Sequence, residues 1–256
     1  MVALSATFAD LDGAKVVITG GATGIGAALA RGFAEQGCRV GILDINESAG
    51  QATVDAIAPH ARHRPIFEKA DLSEVAVARA SVDHLAGQLG GIDVVVNNVA
   101  WDDRHRLEQV TEAYWNDNVA VNLRPAFFVS QAAVPHMRKA GGGSIINFSS
   151  IAFMMNLAGM PIYLTAKAGL IGMTKGLAGE LGVDNIRVNA ILPGMVLTPR
   201  QKQLWVTDES AEAHRMRQAL KVSLLPEDMV GPCLFLASNC SAAITAQSII
   251  VDGGYV

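Results

Sequence analysis

Seven short apolar runs, most of them rich in β-branched residues, recur along the 256 residues with room for a helix between each pair: KVVITG, CRVGILD, RPIFEKAD, IDVVVNN, GSIINFSS, IRVNAILPG and QSIIVDGG. Runs of this length and composition read as strands, and the stretches between them as helices. Several runs are apolar throughout instead of alternating with polar residues, the pattern of strands covered on both faces. The expected architecture is α/β, one doubly wound parallel sheet with helices on both faces, and it uses the whole length, 1–256, as a single domain. The polar, helix-patterned stretch 198–225 is the one segment left over, and it is expected to form a flap. In such sheets ligands sit beyond the carboxyl ends of the strands, so chemistry is sought just after each run.

Composition removes several classes of function. Half of the residues are apolar, enough for a sizeable core without staples. A formal charge of -4 with scattered basic residues gives no broad attraction for nucleic acid or anionic lipid, and neither is expected as a partner. Cys38, Cys233 and Cys240 form no CxxC pair, so no disulfide framework or metal site is expected; they read as buried small hydrophobes in a reducing compartment. The opening MVALSATFADLDG carries acids where a secretory signal carries basic residues, which points to the cytoplasm. The uncharged stretch from Ala140 to Ala166 is broken by glycines, Ser149, Ser150, Asn156 and Pro161, so it is not expected to span a membrane.

The first run passes directly into TGGATGIG, Thr19 to Gly26, and then into a helical segment. Glycines at a strand-to-helix turn are the Rossmann-type site for a pyrophosphate: Gly20 for the tight turn, Gly24 for backbone approach to phosphate, Gly26 for close helix packing. A glycine-rich turn alone also serves plain structural roles. Asp44 adds to it, because it ends the next run about twenty residues on, where a carboxylate accepts hydrogen bonds from both adenosine ribose hydroxyls. A 2′-phosphate would meet a like charge there, and the neutral Thr23 adds nothing basic, so NAD is favoured over NADP. Asp71-Leu72, after the third run, is placed either to hold the adenine edge or to cap a helix.

Tyr163 and Lys167 in YLTAK fall one helical turn apart on one face, thirteen residues past Ser150. Bringing a phenol from a pKa of about 10 to near 7 takes roughly 4 kcal/mol. A cation about 4 Å away at an effective dielectric of about 20 supplies an amount of that order. The spacing therefore predicts a tyrosine acidified by its lysine neighbour and able to act as a general base.

The ordered set of TGxxxGxG at Thr19–Gly26, Asp71, the tetrad Asn97 to Ala100, Asn122, Ser150, YxxxK at Tyr163 and Lys167, and Pro193-Gly194 leading to Thr198 resembles the short-chain dehydrogenases/reductases over the whole chain. The resemblance implies a dinucleotide-binding oxidoreductase. It implies Tyr163 as acid/base, Lys167 lowering its pKa and holding the nicotinamide ribose, Ser150 bonding the reacting oxygen, and Asn122 supporting a water-linked proton relay. It further implies Ile25, Asn98, Pro193 and Gly194 against the cofactor, with Val196 and Thr198 at the carboxamide. The usual Asn-Asn-Ala-Gly reads Asn97-Asn98-Val99-Ala100, so the backbone near the nicotinamide is expected to be more tightly filled.

The charged segment WDDRHRLEQVTEAYW, Trp101 to Trp115, and TPRQ at Thr198 to Gln201 resemble sugar dehydrogenases of that family, bacterial D-xylose and other aldose 1-dehydrogenases in particular. Asp102, Arg104, His105 and Asn156 are candidates to pair with sugar hydroxyls, with Trp101, Met154, Met155 and Trp205 as walls. The expected reaction is oxidation of an aldose at C1 to its lactone. The alternatives are a secondary hydroxyl of a polyol or of a 2-keto-3-deoxy sugar acid, whose carboxylate Arg104 and Arg200 would hold. A 3-oxoacyl carrier-protein reductase and a non-catalytic NAD-binding regulator are the remaining readings. Ala168, Gly172, Gly176 and Gly179 share one helix face, which either packs inside the subunit or meets a partner helix. The resemblance implies the latter, in a homotetramer.

Overall fold

The computed structural model describes residues 6–256. All seven expected strands form: β1 Lys15–Thr19, β2 Arg39–Asp44, β3 Ile66–Lys69, β4 Val94–Asn97, β5 Gly143–Phe148, β6 Ile186–Pro193 and β7 Ser248–Val251. They build one parallel sheet in the order β3-β2-β1-β4-β5-β6-β7. The order reverses between β1 and β4, which opens a crevice at their carboxyl ends. The helices are α1 Gly24–Glu35, α2 Glu47–Ile57, α3 Val75–Leu89, α4 Glu112–Asn122, α5 Arg124–Ala140, α6 Pro161–Leu181, α7 Pro199–Leu204, α8 Asp208–Arg217 and α9 Val230–Ala237. None among the described residues is long and apolar enough to cross a membrane.

The central strands are apolar on both faces because each face has its own core. Val16, Ile18, Val94, Val96 and Ile146 pack with Leu29, Phe33 and Leu234, on the side of α1 and α9. Val17, Val95 and Ile145, one residue out of phase, pack with Val82, Leu85, Val129 and Leu181, on the side of α3, α5 and α6. The period of two along each strand thus divides one run of valines and isoleucines between two layers. Cys38 and Cys233 are buried as expected, but Cys240 is exposed, since the short turn after α9 carries it outward.

Asparagines tie the sheet to the helices that matter for the site. Asn97 and Asn147 are register partners on β4 and β5, and Asn97 Nδ2 donates to Asn147 Oδ1 at 2.9 Å. Asn147 Nδ2 donates to Thr174 Oγ1 of α6 at 2.9 Å, and Ser149 Oγ to the Lys167 carbonyl at 2.7 Å. Helix α6 is thereby fixed against the end of β5.

Close helix packing depends on Gly32, where an added Cβ would stand 2.2 Å from Val230 Cγ1. Gly32→Ala is expected to destabilise by about 1–3 kcal/mol in urea unfolding. Val230→Ala should relieve the clash, so that a double-mutant cycle shows a coupling of about 1–2 kcal/mol.

Candidate active site

At the end of β1 the chain turns through Gly20, whose φ is +65°. Its carbonyl lies so close to α1 that a Cβ on Gly26 would be 2.0 Å from it, and a Cβ on Gly20 would be 2.9 Å from Val99 Cα. Asn98 braces this turn, donating from Nδ2 to the carbonyls of Thr19 at 3.2 Å and Gly20 at 2.9 Å. Thr23 is the N-cap of α1 but makes no side-chain cap bond, so its hydroxyl and the first N–H groups of the helix face the turn unused by one another. Asp44 Oδ2 accepts from Ala22 N at 3.0 Å and Oδ1 from Asn46 N at 2.9 Å, which fixes the carboxylate and leaves each oxygen a lone pair for a ribose hydroxyl. The turn fits a dinucleotide: Gly20 and Gly26 let it close tightly, since a side chain at either would collide with Val99 or the Gly20 carbonyl, and the N–H groups at the start of α1 are left for phosphate. Asp71 Oδ1 accepts from Ser73 N at 3.0 Å and Ser73 Oγ at 2.6 Å, while Asp71 itself is exposed; the Leu72 side chain is buried in the core.

Beyond the turn lies a cavity of about 420 Å³ into which Ile25, Asn98, Ser150, Tyr163, Lys167, Pro193, Gly194, Val196 and Thr198 all project. Lys167 is 2 % exposed, a charge with no carboxylate partner among the described residues. One of its three donors is used, on the Phe148 carbonyl at 2.9 Å. Burial lowers its pKa to about 8, a fall that the field of Asp102 partly opposes.

The expected acidified phenol is not what the free protein holds. Burial, and then the Asp102 charge, push Tyr163 above the usual tyrosine range, with Ser150 and Arg104 opposing. Lys167 Nζ sits 5.6 Å from the centre of the tyrosine ring and donates to the Phe148 carbonyl. Asn122 is equally committed. Its Oδ1 accepts from Trp101 N at 2.8 Å and its Nδ2 donates to the Trp101 carbonyl at 2.9 Å, so its side chain clasps the loop after β4.

The sequence-derived substrate residues divide. Asp102, Arg104 and Trp205 line the cavity with Ser150 and Tyr163. His105 does not: it is buried, its Nε2 accepts from Ile162 N at 3.4 Å and its Nδ1 meets Tyr114 Oη at 3.0 Å. Helix α6 has no side-chain cap of its own, so His105 supplies one from a distant loop. Trp101 packs against Tyr114 with ring centres 5.7 Å apart, outside the cavity. Met154 and Asn156 are exposed outside it, and Arg200 is paired with Asp102 at 3.6 Å. Met155, Met160, Gln201, Ser210, His214 and Tyr255 line the cavity as well. Of these, Met155 carries a sequence signal through its place just after Ser150, and Gln201 through the TPRQ stretch. Met160 comes from the start of α6, and Ser210, His214 and Tyr255 arrive by tertiary folding of α8 and the C-terminal turn.

Lys167 gives a stability prediction with a defined sign. Its folded pKa lies below the unfolded value of 10.5, so the unfolded chain binds more protons above about pH 8, and stability rises with pH from there towards 10.5. The stability of the protein relative to Lys167→Met, read by denaturant unfolding, should grow by up to about 3 kcal/mol across that window. A flat difference would rule out the buried ammonium.

The comparisons with known proteins cover almost the entire chain. A family model described as Enoyl-(Acyl carrier protein) reductase matches residues 20–256. A Rhizobium meliloti protein named "Probable galactose dehydrogenase GalD" is 54% identical, with 98% of each chain aligned. The D-xylose 1-dehydrogenase of Caulobacter vibrioides is 42% identical over 98% of this chain and 99% of its own. The crystal structure of carveol dehydrogenase from Mycobacterium avium in complex with NAD superposes with a TM-score of 0.90 at 27% identity, over 96% of this chain and 99% of that one. A glycine turn at the β1–β4 crevice, a serine, tyrosine and lysine facing one cavity beside it, and full-length similarity of this order have one reading: the chain belongs to the short-chain dehydrogenase/reductase family of oxidoreductases.

Proposed function

We propose that the protein oxidises an aldose at C1 to its lactone with NAD, and that Ser150, Tyr163 and Lys167 do the chemistry. The observation that carries this reading is that one cavity is lined both by Ser150 and Tyr163 and by the polar groups of Asp102, Arg104 and Trp205. Polyhydroxylated ligands need such paired groups, whereas an acyl chain would leave them unpaired. The similarity to proteins named galactose and D-xylose dehydrogenases supports the same substrate class.

In this mechanism Ser150 hydrogen-bonds the C1 oxygen and Tyr163 takes the hydroxyl proton. A bound oxidised nicotinamide supplies the acceptor for the hydride that leaves C1. Lys167 keeps two donors for ribose hydroxyls, and its charge, with the ligand's own, offsets the burial that holds the Tyr163 proton in place. Val196 and Thr198 border the carboxamide end. Asp44, fixed by two backbone N–H groups, receives the adenosine ribose and disfavours a 2′-phosphate. Asn122 acts by holding the loop at Trp101, and the segment 198–225 acts as a flap: none of the residues of α7 or α8 is buried. A 2-keto-3-deoxy sugar acid fits less well, because Arg200 is already paired with Asp102.

A homotetramer is part of the proposal. The alternative, that the α6 glycines pack inside the subunit, meets open space: a Cβ on Gly172, Gly176 or Gly179 would touch nothing within 4 Å. The edge strand β7 also leaves Ile250 41% exposed. Static light scattering should give the mass of four chains, and a monodisperse monomer would overturn the assembly.

Purified protein should reduce NAD with galactose or a related pentose at least about 10-fold faster than NADP, given a like charge at the 2′ position. Tyr163→Phe should lower kcat by about 10²–10⁴-fold while NAD affinity, read by fluorescence titration, is retained. Full turnover in that variant would overturn the assignment.

A further inference from the structure

The chain enters α6 through an exposed stretch, residues 156–158, and then through Gly159, whose φ of +85° lies in the left-handed region. Tyr163 follows four residues later, so its placement depends on what fixes this entry. The bonds of Ser149 to the Lys167 carbonyl and of Asn147 to Thr174 grip the helix farther along. Pro161 opens the helix without an N–H, and Met160 before it supplies no side-chain cap. The loop after β4 grips the entry at three points. His105 N donates to the Gly159 carbonyl at 2.8 Å, His105 Nε2 accepts from Ile162 N at 3.4 Å, and Arg104 Nη1 donates to Met160 Sδ at 2.9 Å. His105 thus straddles the start of the helix, with its backbone on one side and its ring on the other.

One face of α4 holds the ring in turn. Tyr114, Asn118 and Asn122 follow at intervals of four and share that face. Asn122 Nδ2 donates to Asn118 Oδ1 at 3.0 Å and its Oδ1 accepts from Trp101 N, while Tyr114 Oη meets His105 Nδ1 at 3.0 Å. The loop 101–105 is therefore tied to α4 at both ends, and between the ties it carries Asp102 and Arg104 of the cavity lining. A neutral imidazole has one donor and one acceptor nitrogen; with its proton on Nδ1, towards Tyr114, Nε2 is the acceptor that Ile162 requires.

We propose that His105 is a positioning residue for Tyr163: its Nε2, accepting from Ile162 N, sets the first turn of α6 and with it the reach of the phenol to the reacting oxygen. This rests on Tyr163 as the acid/base of the reading above and adds a residue that acts on it through the backbone. A misplacement of about 1 Å at a reacting group costs on the order of 10²-fold in rate. The glycine turn and Asp44 lie on other elements and keep their hold on the dinucleotide. The effect therefore falls on kcat.

Two substitutions separate the two nitrogens. His105→Gln carries an amide near the place of Nε2 and can still accept from Ile162 N; His105→Asn carries its amide near the place of Nδ1 and cannot. His105→Asn should lower kcat for an aldose by about 10- to 100-fold, with KM for NAD within about twofold of wild type, whereas His105→Gln should keep kcat within about threefold. Hydrogen exchange supplies a readout free of turnover: the Ile162 amide should exchange at least about 10-fold faster in His105→Asn and near the wild-type rate in His105→Gln. Equal losses of kcat in the two variants, or an unchanged kcat in His105→Asn, overturn the positioning role and leave the aldose reading standing. Should His105→Asn fail to fold, Tyr114→Phe, which frees the ring, decides: a kcat lowered about 3- to 10-fold supports the role and an unchanged one overturns it. If the wild-type enzyme oxidises another alcohol but no aldose, the aldose reading fails, and the same comparison is read on that alcohol.

Discussion

An ammonium buried at the end of β5 is the constraint around which the site is arranged. Taking Lys167 out of water without a carboxylate partner is unfavourable, and the single bond to the Phe148 carbonyl offsets only part of that. Its depressed pKa records the balance. The chain tolerates this because α6 is fixed by other means: Asn147 holds Thr174, Ser149 holds the Lys167 carbonyl, and Ala178 and Leu181 pack into the apolar layer shared with α3 and α5. The same burial that strains the lysine keeps the Tyr163 proton on its oxygen. With a neutral phenol and a reluctant cation, the free protein is poised for ribose hydroxyls, which would pair with the Lys167 ammonium, and for a positive charge, which would favour the Tyr163 phenolate. That conditional acidity accounts for the failure of the simplest argument from spacing: i,i+4 proximity sets which groups meet, whereas solvent exclusion sets their protonation.

The loop after β4 connects the substrate mouth to this helix. Asn122 holds the loop at Trp101, and His105, farther along, caps α6 one residue before Tyr163. For Nε2 to accept from Ile162 N, the imidazole proton must be on Nδ1, directed at Tyr114 Oη; the phenol in turn can donate towards Asp103 Oδ2 at 3.5 Å. The polar residues of this loop therefore belong to two sets. Asp102 and Arg104 line the cavity, while Asp103, His105 and Tyr114 form an inward chain that positions α6. Sequence alone groups all of them as charges at a pocket mouth.

What the sequence made legible follows from how local each signal is. The seven strands were readable because each carries its own apolar run, and the glycine turn because Gly20 and Gly26 approach within one strand-to-helix unit. Tyr163 and Lys167 were readable because one helical turn joins them. His105 reads from the sequence as a substrate ligand, but its partners, Ile162 and Tyr114, are on other elements. Arg200 reads as a carboxylate clamp, yet tertiary folding sets it beside Asp102, almost a hundred residues earlier. His214 and Tyr255 escaped notice altogether: α8 is polar all round, and the tyrosine reaches the cavity only because the segment after α8 pairs with the C-terminal turn, Ala219 N to Gly254 O at 3.0 Å and Leu220 N to Gly253 O at 2.8 Å.

The glycines of α6 extend the same reasoning beyond one subunit. Each interior glycine disfavours a helix by about 1 kcal/mol relative to alanine, so Gly172, Gly176 and Gly179 together withhold about 3 kcal/mol from the helix that carries Tyr163 and Lys167. Gly169 differs, because a Cβ there would come within 3.2 Å of Leu123 inside the chain. The other three have no such neighbour, and alanine would fit at each without contact. A local rule broken three times on one face has no offset among the described residues, and the proposed homotetramer would supply one. Close approach of a second α6 is a contact that a Cβ would obstruct, and it would brace α6 from the side that its own subunit leaves open.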